Sequence, residues 1–154
     1  MPLQRNLLIV IADGEHARFI REAPDHALYT ARTLDSASAH QRDSELASDR
    51  LGAKMHTGST AHHAVQPRHA LHVLAKQEFA HLLAAETNAA AERGEFNALV
   101  IAAPARILPE IRERLSLQAR QLLQGTLARD LVKTPDHELQ PHLADWVRPV
   151  HRAG

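Results

Sequence analysis

With 154 residues, 44% of them hydrophobic and 23% charged, the chain has the size and composition of one compact domain, which excludes a disordered tail, a fibrous repeat and two independent domains. Lys plus Arg and Asp plus Glu each number 18, so no global field draws nucleic acid or membrane, and any such binding has to be local. Aromatic residues at 3% are too few for a stacking platform on single strands, and zero Cys removes disulfides, thiol catalysis and thiolate metal sites.

Residues 7–12 are apolar, β-branched and unbroken, the pattern of a strand covered on both faces. Asp13-Gly14 then supplies the positive-φ residues of a tight hairpin turn. A returning strand is expected over 16–21, and a third over 27–34 after a turn near Pro24-Asp25. Residues 35–66 carry little periodicity but much Ser, Gly, Thr and His, which reads as a long protruding loop or flexible arm. Pro67 suits a first helical position, and Leu71, Leu74, Ala75, Phe79, Leu82 and Leu83 follow helical spacing towards a stop at Gly94.

Residues 97–103 form a second wholly apolar strand, ended by Pro104. Ile107, Leu108, Ile111 and Leu115 mark a helix behind it, and Ser116 caps a further short helix running to Leu123. A last strand is expected over 125–132, and Thr134-Pro135 is the start signal of a terminal helix that Pro141 breaks. This order predicts an α/β fold: a single domain over 1–154, with its core at about 6–147, an arm at about 36–66, and helices packed on a mixed, five-stranded sheet.

The order of elements and four strings resemble the bacterial host attachment protein family, proteins required for attachment to host cells. The strings are Ile9-Val10-Ile11-Ala12-Asp13-Gly14, Glu45-Leu46-Ala47-Ser48-Asp49-Arg50-Leu51-Gly52, Leu99-Val100-Ile101-Ala102-Ala103-Pro104-Ala105-Arg106 and Arg129-Asp130-Leu131. The resemblance runs over about 6–143. That family is in turn similar to the central domain of archaeal and eukaryotic peptide-chain release factors and of the ribosome-rescue protein Pelota, which implies the same fold and a tie to translation. In release factors the protruding loop carries Gly-Gly-Gln. The corresponding residues here, 49–68, contain isolated Gly52 and Gly58 and no such motif, so peptidyl-tRNA hydrolysis is not implied.

The most unusual local feature is electrostatic. Residues 50–77 contain no Asp or Glu, although the average acidic density of the chain would put about three there; they do contain Arg50, Lys54, Arg68, Lys76 and five His. One reading is a polar solvated loop. The other is that a neutral protein gathers positive potential on one arm that touches phosphate, with Arg50, Lys54, Arg68, His69 and Lys76 as the contacts. Asp49 beside Arg50 is either half of a local ion pair worth under about 1 kcal/mol or the group that orients Arg50 towards an anion. His62, His63, His69 and His72 have ligand chemistry, but no HExxH signature or completing carboxylate accompanies them, and surface histidine is the simpler account.

Asp13 fits a turn better than a catalytic carboxylate because Gly14 follows it. Ser59, Thr60 and Ser116 lack a Gly-x-Ser-x-Gly setting, and no phosphate-binding or dinucleotide fingerprint occurs. Arg112, Glu113, Arg114 and Arg120 read as a mixed-charge solvated face. No basic-then-apolar leader opens the sequence, and the longest apolar runs fall far short of the roughly 20 residues a span needs, so a cytoplasmic protein without a membrane span is expected.

The function expected is a non-catalytic accessory protein, associated with RNA or the ribosome through the basic, His-rich arm, and needing no cofactor. The alternative is a cytoplasmic regulatory or protein-interaction factor needed indirectly for host attachment. A metal-dependent hydrolase rests on His clustering alone.

Overall fold

The computed structural model describes residues 5–36 and 68–148. Strands β1 (Leu7–Ala12), β2 (His16–Glu22) and β3 (Leu28–Asp35) open the chain, and β4 (Ala98–Ala103) and β5 (Leu123–Ala128) follow the long helix α1 (Arg68–Glu92). The strands form one sheet in the order β3-β2-β1-β4-β5. β1 runs antiparallel to β2 and parallel to β4, and β5 is parallel to β4, so the sheet is mixed and five-stranded as the α/β reading requires. The expected connection over 35–66 lies, from residue 37 on, outside the described residues.

Every residue of β1 and β4 is buried. Their side chains alternate between two cores, as the pleat demands. Leu8, Val10, Leu99 and Ile101 meet Phe79, Leu83 and Ala84 of α1 and Ile111 of α2 (Leu108–Arg114). Leu7, Ile9, Ile11 and Val100 face the other way, onto Leu131, Leu139, Leu143 and Val147 near the end of the chain. Burial of each such aliphatic side chain contributes about 1.5–3 kcal/mol, so the two cores together carry the fold.

α1 has 25 residues, about 37 Å at 1.5 Å per residue, against about 20 Å for a six-residue strand. Among its described side chains, which start at Leu74, burial begins at Phe79, and the helix is therefore longer than the face the sheet covers. That is why Leu74, although in register with the apolar stripe, is 50% exposed. Thr87 is buried on the same stripe and satisfies its hydroxyl by donating to the Leu83 carbonyl at 2.8 Å. Gly94, at φ +71°, closes the helix, with amides 94 and 95 returning to the carbonyls of Ala91 and Ala90. Ser116 caps α3 (Leu117–Leu122) by accepting from the Ala119 amide at 3.1 Å. Asn88 fixes the turn between α2 and α3, donating to the Arg114 carbonyl and accepting from the Ser116 amide.

Two expectations need correction. The last strand starts at Leu123 and ends at Ala128, earlier than 125–132, because its bounds follow the parallel register with β4, where Leu99 pairs Leu123 and Ala103 pairs Ala128. The terminal α-helix is replaced by two short 3-10 turns, Asp136–Glu138 and Gln140–Leu143. Pro141 removes an amide there, and Asp136 is engaged across the sheet instead of in a helical first turn. The 3-10 turns place Leu139 and Leu143 in the second core.

That engagement is the latch of the C-terminal segment. The Arg18 guanidinium, 12% exposed, donates to the carbonyls of Leu131, Val132 and Thr134, to the Thr30 hydroxyl and to Asp136. Asp136 also accepts from the Thr30 amide at 3.0 Å and the Thr30 hydroxyl at 2.6 Å. Burial alone would raise the Asp136 pKa, but the Thr30 and Arg18 contacts together hold it below its ordinary value.

A carboxylate with a depressed native pKa adds stability that is complete above its unfolded pKa of about 4 and disappears as pH falls through the native value. Melts from pH 7 down to pH 3 should therefore lose part of their midpoint below about pH 4. Asp136→Asn should be less stable at pH 7 and show a shallower acid loss. A second expectation concerns Gly125, where a Cβ would lie 2.7 Å from the Trp146 ring. Gly125→Ala should lower stability by about 1–3 kcal/mol in chemical denaturation, the usual range for overpacking.

Candidate nucleic-acid interface

Because β1, β3, β4 and β5 run in one direction, their carboxyl ends share one edge of the sheet, and β2 begins there. β1 leads to β2 on one side and β4 leads through α2 and α3 to β5 on the other. The carboxyl ends of the strands are where ligands usually bind in open α/β sheets. The residues at this edge are the turn 13–15 after β1, residues 104–107 after β4, Arg129 and Asp130 after β5, and the early part of α1.

The turn after β1 is built by Asp13. Its Oδ1 accepts from the amides of Glu15 at 2.7 Å and His16 at 2.6 Å, and the Asp13 amide donates to the His16 carbonyl at 2.9 Å. The His16 ring nitrogen stands 3.5 Å from the same carboxylate oxygen. Gly14 departs from expectation: the positive-φ residues among those described are His26 and Gly94, not Gly14. What Gly14 provides is room. It is buried, and a Cβ on it would fall 2.7 Å from Cγ and 2.9 Å from Cδ of Lys76.

Lys76 is thus a half-buried lysine whose alkyl stem lies across the β1-β2 turn. Among the described residues its ammonium makes no hydrogen bond or ion pair. The same holds for Arg106, exposed just beyond the end of β4. Nothing in the sequence singled out Arg106 or the contact between Gly14 and Lys76. The available signal for Arg106 was a cation three residues past a wholly apolar strand.

Of the other expected site residues, Asp49, Arg50, Lys54, His62 and His63 lie outside the described residues. Arg68, His69 and His72 fall in the opening turns of α1, with side chains outside the described part. α1 therefore carries the end of the acid-free stretch to the carboxyl edge, where Lys76 meets the turn. Among the described residues no group of three or more His, Asp or Glu is placed to hold a metal ion, and no helix is long and apolar enough to cross a membrane. The mixed-charge residues of α2 and α3 include an Arg120 guanidinium that donates to the Glu113 carbonyl at 2.9 Å.

A mixed α/β sheet with helices on one face and a long helix reaching past its carboxyl edge defines the architecture. The sequence profile of the family described as "Protein required for attachment to host cells" matches residues 8–143, and the chain belongs to that family, as the strings in β1 and β4 led us to expect. No curated protein sequence matches the chain. Among solved structures, the crystal structure of an archaeal translation termination factor, aRF1, is similar with a TM-score of 0.49 at 12% sequence identity, over 91% of this chain and 38% of that one. The chain thus spans well under half the length of that protein.

The turn geometry predicts that Asp13 is structural. Asp13→Ala should cost about 0.5–1.5 kcal/mol in chemical denaturation, since exposed amides recover water when their acceptor is lost. Its circular dichroism spectrum should remain that of the native protein.

Proposed function

We propose that the chain is a non-catalytic accessory protein that associates with RNA, on the ribosome or free of it, through its basic, His-rich stretch and the adjoining carboxyl edge. The observation that carries this reading is the acid-free sequence over 50–77, which ends on α1 at an edge where Lys76 and Arg106 have no anionic partner among the described residues. In a chain with 18 basic and 18 acidic residues, such a local excess is where a polyanion gains most. The lack of Gly-Gly-Gln within 49–68 favours binding over peptidyl-tRNA hydrolysis. A second reading, a regulatory or protein-interaction factor needed indirectly for attachment, is favoured by the family description alone.

Ribosome co-sedimentation and binding of a labelled RNA at two salt concentrations separate the two readings, because phosphate contacts weaken steeply with salt. Replacing Arg50, Lys54 and Arg68 together with Ala should weaken RNA binding and flatten its salt dependence by up to about three phosphate contacts. The melting temperature should stay nearly constant. Asp49→Ala should mimic Arg50→Ala if Asp49 orients the guanidinium. Tighter binding by Asp49→Ala would instead make net charge the controlling variable.

A further inference from the structure

We infer that Gly14 is a positioning residue for Lys76, and that the ammonium held in this way contacts a phosphate of the RNA backbone; the second half rests on the RNA-binding reading above. Three observations converge on this pair. Gly14 has no positive φ, so the turn itself does not require glycine, yet the residue is buried and a Cβ there would enter the space of Lys76 Cγ, Cδ and Cε at 2.7, 2.9 and 3.1 Å. The contact removes much of the rotamer freedom of a side chain that normally loses up to about 2 kcal/mol on being fixed, so an anion meets a lysine already ordered. Neither an acid nor a carbonyl among the described residues takes the ammonium.

The nearest carboxylate along the turn does not compete for Lys76. Asp13 is occupied by the amides of Glu15 and His16 and by the His16 ring. Glu15 is exposed on the same turn and Glu78 is exposed on α1, two residues after Lys76, and both set a repulsive background that a bound phosphate has to overcome. Arg106 on the neighbouring strand end supplies a second cation on the same edge. A lysine with no partner among the described residues, its stem packed on a glycine 62 positions away in sequence, is placed at this edge by that contact.

The test is a double-mutant cycle read by fluorescence anisotropy of a mixed-sequence, fluorescein-labelled RNA, with the full chain and a melting curve for each variant. Lys76→Ala should weaken binding by about three- to tenfold and reduce the salt slope by about one phosphate contact. Gly14→Ala should weaken binding in the same direction, and Gly14→Ala in a Lys76→Ala background should add nothing further. Lys76→Arg should retain most of the affinity and Lys76→Met, which keeps an unbranched stem without the charge, should lose it, a split that a purely structural role for the stem does not predict. Equal binding by wild type and Lys76→Ala overturns the inference, and so do additive losses in the cycle. If Gly14→Ala lowers the melting point, the Lys76→Met and Lys76→Arg pair still decides the phosphate contact. Loss of binding on Arg50, Lys54 and Arg68 replacement with none on Lys76 replacement sinks this inference and leaves the arm reading. The reverse pattern sinks the arm reading and keeps the Lys76 contact. No RNA binding by the wild type overturns both.

Discussion

Two adjacent parallel strands, β1 and β4, have all their side chains buried, and this single constraint organises the molecule. A strand pair of that kind has to be covered on both faces. The helices cover one face by ordinary means, with apolar side chains from α1 and α2 set at helical spacing. The other face is covered by residues 131–147, which contain only two 3-10 turns among the described elements. Such a segment has few backbone hydrogen bonds of its own, so its register has to come from side chains that cross to it from the sheet. Arg18 does this. It presents a nearly buried guanidinium whose three nitrogens all donate, to three carbonyls, a hydroxyl and a carboxylate. The arrangement is tolerable inside the protein because every nitrogen of the guanidinium has an acceptor; removing Asp136 alone would leave the Arg18 charge without its counter-ion, the expensive case for a buried pair.

The same group also guards a sheet edge. β3 is an outer strand, and its Thr30 amide is capped by Asp136. Its ladder with β2 is interrupted next to that point, where Phe19 pairs Arg32 but Ile20 pairs Thr30, leaving Ala31 as an extra residue. The opposite outer strand, β5, is interrupted in the same manner between Leu123 and Gly125. Bulges on both outer strands twist the edges away from clean pairing with another sheet. Arg32 meanwhile turns its guanidinium over the Phe19 ring at 5.1 Å and reaches Glu86 of α1 at 2.8 Å, so β3 is also tied to the helical layer.

What local sequence signals located, and what they missed, divides along the range of the forces involved. Apolar runs gave the two central strands, and helical spacing from Phe79 onward gave the buried face of α1, because both depend on residues close in sequence. The Ser116 cap was legible for the same reason. Thr134-Pro135 gave a false start signal: Asp136 is claimed by Thr30 and Arg18, 106 and 118 positions away, and no local pattern carries that information. Asp13-Gly14 was legible as a turn, but the reason for glycine there was not, since it lies in a contact with Lys76 on α1. Of the candidate interface, the acid-free stretch was visible as composition. Its junction with the sheet edge needed the topology, because only the parallel arrangement brings Arg106 to the same edge as the turn after β1.

The two ends of the sheet use their polar groups differently. At the amino end of β1 and β4, Asn6 accepts from Arg21 and donates to the Glu95 carbonyl, Asn97 accepts from the Asn6 amide, and Arg21 also donates to the Glu95 carbonyl at 2.7 Å. Arg5 closes the same end by donating to the Trp146 carbonyl. Side chains there are consumed in satisfying backbone groups, which is what a structural end requires. At the carboxyl end Asp13 is turned onto the amides of its own turn, and Lys76 and Arg106 keep their charge unpaired among the described residues. Packing the Lys76 stem on Gly14 with no partner for the ammonium among the described residues adds little ion-pair stability. On the proposed RNA-binding reading, this asymmetry leaves the carboxyl edge with two cations, Lys76 and Arg106, that have no anionic partner among the described residues.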